Sequence, residues 1–177
     1  MTARDRQDKV DDAAHLKQVA TGSLAGFAAM GFLSGLSPKA PGTAGSALAW
    51  LLMWPLALLP EWAVAGWVVL SAVLGVWVCQ SAAKTLGVHD HSGIVWDEFV
   101  GMWLVLMLLP QTVLVWVLGF VMFRVFDIVK PWPIGWLDRH LTGGLGIMAD
   151  DILAAAYAVA VVLSIVTLWP GIISWGI

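Results

Sequence analysis

The stretch IVWDEFVG, residues 94–101, places two carboxylates, Asp97 and Glu98, side by side at the head of an apolar run that continues to Leu109. A second adjacent pair, Asp150 and Asp151, precedes the apolar run 152–169, and Arg124, Asp127 and Lys130 recur at intervals of three where the run 112–129 ends. The segment GLSPKAPGTAGS, residues 35–46, adds Lys39, Thr43 and Ser46. Carboxylate oxygens are hard ligands that suit Mg²⁺. Arginine, lysine and the amides of a helix N-terminus are donors that suit a phosphate held against such an ion. Brought together, these residue types would perform metal-assisted phosphoryl chemistry, and at a membrane surface the natural substrate is a lipid headgroup.

Each feature also has a plainer reading. Acidic residues at a helix start complement the macrodipole, and an Asp following the glycine-rich GGLGIMA is a common N-cap. Arg124, Asp127 and Lys130 would form one helical stripe in which Asp127 pairs with either cation, a self-neutralising arrangement that makes polarity tolerable near lipid. Thr43 or Ser46 would cap the helix that follows Pro38 and Pro41. Gly101 stands three and four positions beyond Glu98 and Asp97, so a neighbouring helix can approach closely on that face. His89 and His91, one residue apart in a loop, do not match a zinc-helix pattern and are read as loop residues.

The elements that must position these groups follow from composition. Of 177 residues 60% are hydrophobic and 12% charged, with a mean hydropathy of +0.86. The reading is an all-α integral membrane protein. Apolar segments at 45–59, 62–83, 94–109, 112–129 and 152–169 give a compact bundle of about five transmembrane helices. Breaks at Pro60-Glu61 and Pro110-Gln111 are short enough to be hairpin connections. Residues 19–36 hold Gly22, Gly26, Gly31 and Gly35, which weaken a helix, so an interfacial or re-entrant element is expected there. Residues 1–18 mix Arg4, Arg6, Lys9 and Lys17 with four aspartates; they read as a polar cytoplasmic segment rather than a cleavable signal peptide, ahead of a single membrane-embedded domain, 19–177. Lys39, Lys84, Lys130 and Arg139 fall in the polar breaks, whereas the tight breaks and the tail hold no Lys or Arg. The positive-inside rule then puts the N-terminus and polar loops in the cytoplasm and the C-terminus outside. One topology therefore gathers the polar residues of four segments at one depth. Cys79, the sole cysteine, excludes an intramolecular disulfide and a cysteine-only metal cluster.

Four segments, GLSPKAPGTAGS, HDHSGIVWDEFVGMW, FRVFDIVKPWPIGWLDRH and GGLGIMADDILAA, resemble in content and order the bacterial phosphatidylglycerophosphatase A family. The resemblance implies a Mg²⁺-dependent inner-membrane phosphatase that converts phosphatidylglycerophosphate to phosphatidylglycerol and inorganic phosphate, with a phospholipid and no nucleic acid as partner. It places Asp97, Glu98, Arg124, Asp127, Lys130, Asp150 and Asp151 at motif positions; Lys39 is not part of the pattern. The expected roles are Asp97, Glu98, Asp150 and Asp151 on one or two metal ions, and Lys39, Thr43, Ser46, Arg124 and Lys130 on substrate. Asp127 is expected to be the base that orients water. The rival class is a small ion or solute transporter, whose carboxylates would sit near the bilayer middle.

Overall fold

The computed structural model describes residues 3–88 and 91–174, with side chains from 10 to 172; His89 lies outside them. Within these residues the chain is all helical: α1 (Ala3–Gly22), α2 (Leu24–Ala29), a 3₁₀ turn (Ser34–Leu36), α3 (Pro41–Leu56), α4 (Glu61–Leu86), α5 (Trp96–Leu108), α6 (Val113–Val129), α7 (Ile134–His140), α8 (Gly143–Leu168) and α9 (Gly171–Ser174). The hairpin breaks at Pro60 and Pro110 are as the sequence predicts. Leu109, just before Pro110, adopts the extended conformation that the proline ring imposes on its predecessor and so ends α5.

Two helices, α4 and α8, are long and apolar enough to cross a membrane, each with 26 residues. The expected count of about five is not reached by length: α3, α5 and α6 have 16, 13 and 17 residues. At 1.5 Å per residue they measure roughly 24, 20 and 26 Å, short of the roughly 30 Å hydrocarbon core. Outer faces are as apolar as inner ones. On α4, Val69, Val73 and Trp77 are exposed while Val68, Gly75 and Val78 are buried, the pattern of a helix that does not face water.

Most of α5 is buried, wedged among α3, α4, α6 and α8. Indole hydrogen bonds fix it: Trp96 Nε1 donates to the Ser71 carbonyl at 3.1 Å and Trp103 Nε1 to that of Ala49 at 3.0 Å. Small residues let α4 and α8 cross closely, for a Cβ on Gly75 would come within 2.7 Å of Met148 Sδ.

Residues 19–36 form no spanning helix. α1 ends at Gly22, α2 lasts six residues, and the chain turns back through Gly31, Phe32 and Leu33, all at positive φ. The turn is satisfied by protein, as burial away from water requires. Gly35 N–H donates to the Met30 carbonyl, and Val95 N–H to that of Ala29, which sets the start of α5.

Candidate functional site

Asp97 and Glu98 occupy the first turn of α5, whose N-cap Val95 offers no side-chain acceptor. Acidity there complements the helix dipole, as expected. Yet Asp97 is buried and Glu98 nearly so, which capping does not require.

Asp150 and Asp151 are not caps. α8 begins at Gly143, so the pair lies two turns inside the helix, 6% and 2% exposed. The sequence misplaced the helix start because GGLG reads as loop. The first two glycines are there because α4 passes too close for side chains: a Cβ on Gly144 would collide with the Val76 carbonyl oxygen, and Gly144 N–H donates to Gln80 Oε1 at 2.9 Å. Gln80 thereby satisfies an otherwise orphan amide at the α8 entry.

Two helices thus deliver three carboxylates to one point. One oxygen each from Asp97, Glu98 and Asp151 lie within 4.8 Å of one another. Glu98 Oε2 and Asp151 Oδ2 are buried and have no hydrogen-bond partner among the described residues. Buried carboxylate oxygens without donors are costly. Grouped this closely, they offer an all-oxygen pocket that could hold a metal ion of the hard, divalent kind.

Glu98 also faces a second group. Arg124 Nη1 lies 3.7 Å from Glu98 Oε1, donates to Asp127 Oδ2 at 2.6 Å, and reaches Ser46 Oγ at 3.3 Å. Asp127 in turn lies beside Asp151. Ser46 Oγ donates to the Gly42 carbonyl one turn back, so it braces the first turn of α3 and is not a cap. The cap position belongs to Ala40, and Pro41 opens the helix instead of preventing it, as proline does at a first helical position. Ala40 supplies no side-chain acceptor, so the amides of Gly42 and Thr43 have no acceptor within the helix. A Cβ on Gly42 would strike Glu98 Oε1 and come within 3.0 Å of Arg124 Nη2. Gly42→Ala is therefore expected to lower turnover about a hundredfold by displacing the Glu98–Arg124 pair, with the thermal midpoint of the purified protein little changed; turnover assays beside a melting curve check this.

Lys130 leaves the stripe drawn for it. It is the left-handed C-cap of α6, at φ 45°, which turns its side chain away from Asp127. Its Nζ donates to Asp138 Oδ1 at 2.6 Å and Asp150 Oδ2 at 2.5 Å. Burial alone would lower its pKa, but the two carboxylates outweigh that and hold it above the ordinary lysine value. Asp150 is thus bound to Lys130 and lies outside the three-carboxylate group. Asp138, on α7, was missed by sequence reasoning; the signal was an acid in WLDRH, eight residues beyond the lysine. Lys130→Met would leave Asp150 buried beside Asp138 without a cation. The expected cost is about 3 kcal/mol, read as a lower thermal midpoint in detergent, whereas Asp138→Asn, which keeps the Lys130–Asp150 pair, should cost under about 1 kcal/mol.

Lys39 is exposed and forms no ion pair among the described residues; Ser37 Oγ donates to its carbonyl. His91 is structural: its Nδ1 accepts from Gly93 N–H at 3.0 Å while Nε2 meets Asp12 Oδ1 at 3.2 Å, tying α1 to the entry of α5. Gly101 is the close approach its spacing predicts, since a Cβ there would lie 2.7 Å from the Phe123 ring and 3.3 Å from the Asp151 carbonyl oxygen.

Comparison with known proteins fits this geometry. The family model for phosphatidylglycerophosphatase A matches residues 27–166. The chain is 50% identical over 149 residues to phosphatidylglycerophosphatase A of Escherichia coli K12, covering 82% of this chain and 86% of that protein. It is 48% identical over 139 residues to the Haemophilus influenzae protein of the same name, covering 77% and 85%. A putative phosphatidylinositol-3-phosphatase of Bacteroides thetaiotaomicron is 41% identical over 138 residues, covering 72% and 84%. No solved structure matches the chain.

Proposed function

The chain belongs to the phosphatidylglycerophosphatase A family, and we propose that it hydrolyses phosphatidylglycerophosphate to phosphatidylglycerol and inorganic phosphate at the cytoplasmic face of a bacterial inner membrane. The observation that carries this reading is that Glu98 joins two devices. On one side it belongs to a three-carboxylate pocket; on the other it faces Arg124 and the α3 N-terminus. A phosphate monoester bound between them would touch both.

Asp97, Glu98 and Asp151 would hold the divalent ion, Mg²⁺ by the hardness of the donors. When bound, that ion supplies charge neutralisation and Lewis-acid polarisation of the phosphate. Arg124 and the amides of Gly42 and Thr43 hold the non-bridging oxygens, while Ser46 keeps the guanidinium in place. Asp127, gripped by Arg124 and beside Asp151, orients a water and takes a proton from it as its oxygen bonds to phosphorus. The ester P–O bond breaks, the lipid oxygen leaves as an alcohol by taking a proton from solvent, Asp127 returns its proton to solvent, and one water is consumed. Lys130 acts through Asp150 and Asp138, fixing the α7–α8 corner. Lys39 offers a solvated cation to the arriving headgroup. Capture of a hydroxylamine-sensitive phosphoenzyme would replace this direct attack with an aspartyl-phosphate route.

The membrane reading extends the same way. The polar segment 1–18 is cytoplasmic, α3 and α6 join α4 and α8 as spans with locally thinned lipid, α5 is enclosed by them, and the C-terminus is periplasmic. The lysines at the site's end of the bundle support that orientation. A transporter gains no support, since the relatives bear phosphatase names.

The test is phosphate release by purified protein from phosphatidylglycerophosphate, phosphatidic acid and phosphatidylinositol 3-phosphate, with Mg²⁺ and with EDTA. Rapid Mg²⁺-dependent release from the first is expected. Preference for the inositol lipid would overturn the substrate assignment.

A further inference from the structure

Below the phosphate-facing groups, an apolar groove of about 290 Å³ lies between α3 and α6, lined by Ala47, Trp50, Leu51, Val117 and Phe120. The groove continues the site. On α3, Ala47 follows Thr43 by four, and Trp50 and Leu51 follow Ala47 by three and four; on α6, Phe120 and Val117 precede Arg124 by four and seven. Residues at such spacings share a face. The two faces that present an amide and a guanidinium at the polar end therefore present the groove walls beneath them.

Trp50, in the groove wall, belongs to a cluster of three indoles. Trp54 and Trp116 meet edge to face with centroids 5.0 Å apart, and Trp50 packs on both, its Nε1 donating to the Trp116 carbonyl at 3.3 Å. From Arg124 to Trp116 is eight residues, roughly 12 Å along the helix. A headgroup phosphate at Arg124 needs a route for the lipid to return to the bilayer, and this groove begins one helical turn from Arg124, at Phe120.

We infer that the α3–α6 groove seats the upper part of one acyl chain of the phospholipid substrate, an inference that rests on the proposed lipid phosphatase reading. The chain leaves one apolar medium for another, so transfer from water contributes nothing. What the groove contributes is orientation, holding the headgroup so that its terminal phosphate faces Arg124 and the carboxylate pocket.

The experiment compares kcat/KM for diacyl phosphatidylglycerophosphate with that for its deacylated, water-soluble headgroup. Ala47→Trp, which fills the groove, should lower the diacyl-to-deacylated ratio about tenfold. Val73→Trp, with the same bulk on the exposed face of α4, should not change that ratio. An unchanged ratio in Ala47→Trp, or an equal fall in both variants, overturns the groove. A photoactivatable acyl chain on phosphatidylglycerol provides a readout independent of turnover and of the variants' folding. Labelling concentrated on residues 47–51 and 117–120 of the unmodified protein supports the inference, and even labelling over α4 and α8 overturns it. Should the unmodified protein cleave neither substrate, the phosphatase reading fails, and the labelling pattern still decides the groove.

Discussion

Glu98→Gln is expected to lower phosphate release about a thousandfold with the fold intact, and Asp151→Asn to do nearly the same. Both variants keep the size of the side chain and remove its charge. Removing one preorganised electrostatic partner of a transition state typically costs a hundred- to a thousandfold, and Glu98 serves two partners at once. Its Oε1 faces Arg124, and its Oε2 is buried with no donor among the described residues. Stability should move the other way or stay level, because neutralising one of several packed carboxylates relieves repulsion. Activity assays run beside thermal melts of the same preparations separate the two effects. Near-normal turnover in both variants would dismantle the metal pocket.

Arg124→Lys should fail almost as completely as Arg124→Ala, with kcat/KM down about a hundredfold or more. The guanidinium meets Asp127, Ser46 and Glu98 through Nη1, while Nη2 lies beside Gly42 at the α3 N-terminus. A single ammonium cannot both keep those partners and present a second donor nitrogen to a phosphate at the α3 N-terminus. If Arg124 served only to neutralise Asp127, lysine would suffice and would restore most of the activity. Kinetics of the two variants therefore separate a phosphate ligand from a self-neutralised stripe.

Much of this site was legible in the sequence, for identifiable reasons. Asp97 and Glu98 stand at a helix mouth because the apolar run begins at once after them. Arg124 and Asp127 share a face because a spacing of three on a helix guarantees it, and topology alone brings both groups to one end. What failed was local. Glycines at 143 and 144 read as loop when they are contact points for α4, and Gly146 lies against the Leu141 carbonyl, which hid two turns of α8 and moved Asp150 and Asp151 inward. Lys130 sits at a helix end, where one left-handed residue redirects a side chain that periodicity would place beside Asp127. No spacing rule reports that turn. Asp138 was passed over because its partner lies across the turn that Lys130 makes. Length supports two of the expected spans, α4 and α8, because the other three apolar segments stop at prolines or caps before reaching about 20 residues.

The central claim is that carboxylates from α5 and α8 share one divalent cation. Binding of Mn²⁺ to the purified, metal-stripped protein, followed by electron paramagnetic resonance, tests it most directly. The account predicts a saturable site displaced by Mg²⁺, with affinity sharply reduced by Glu98→Gln and by Asp151→Asn. Undiminished binding in both variants, or no binding by a protein that hydrolyses its lipid at full rate in EDTA, would contradict it.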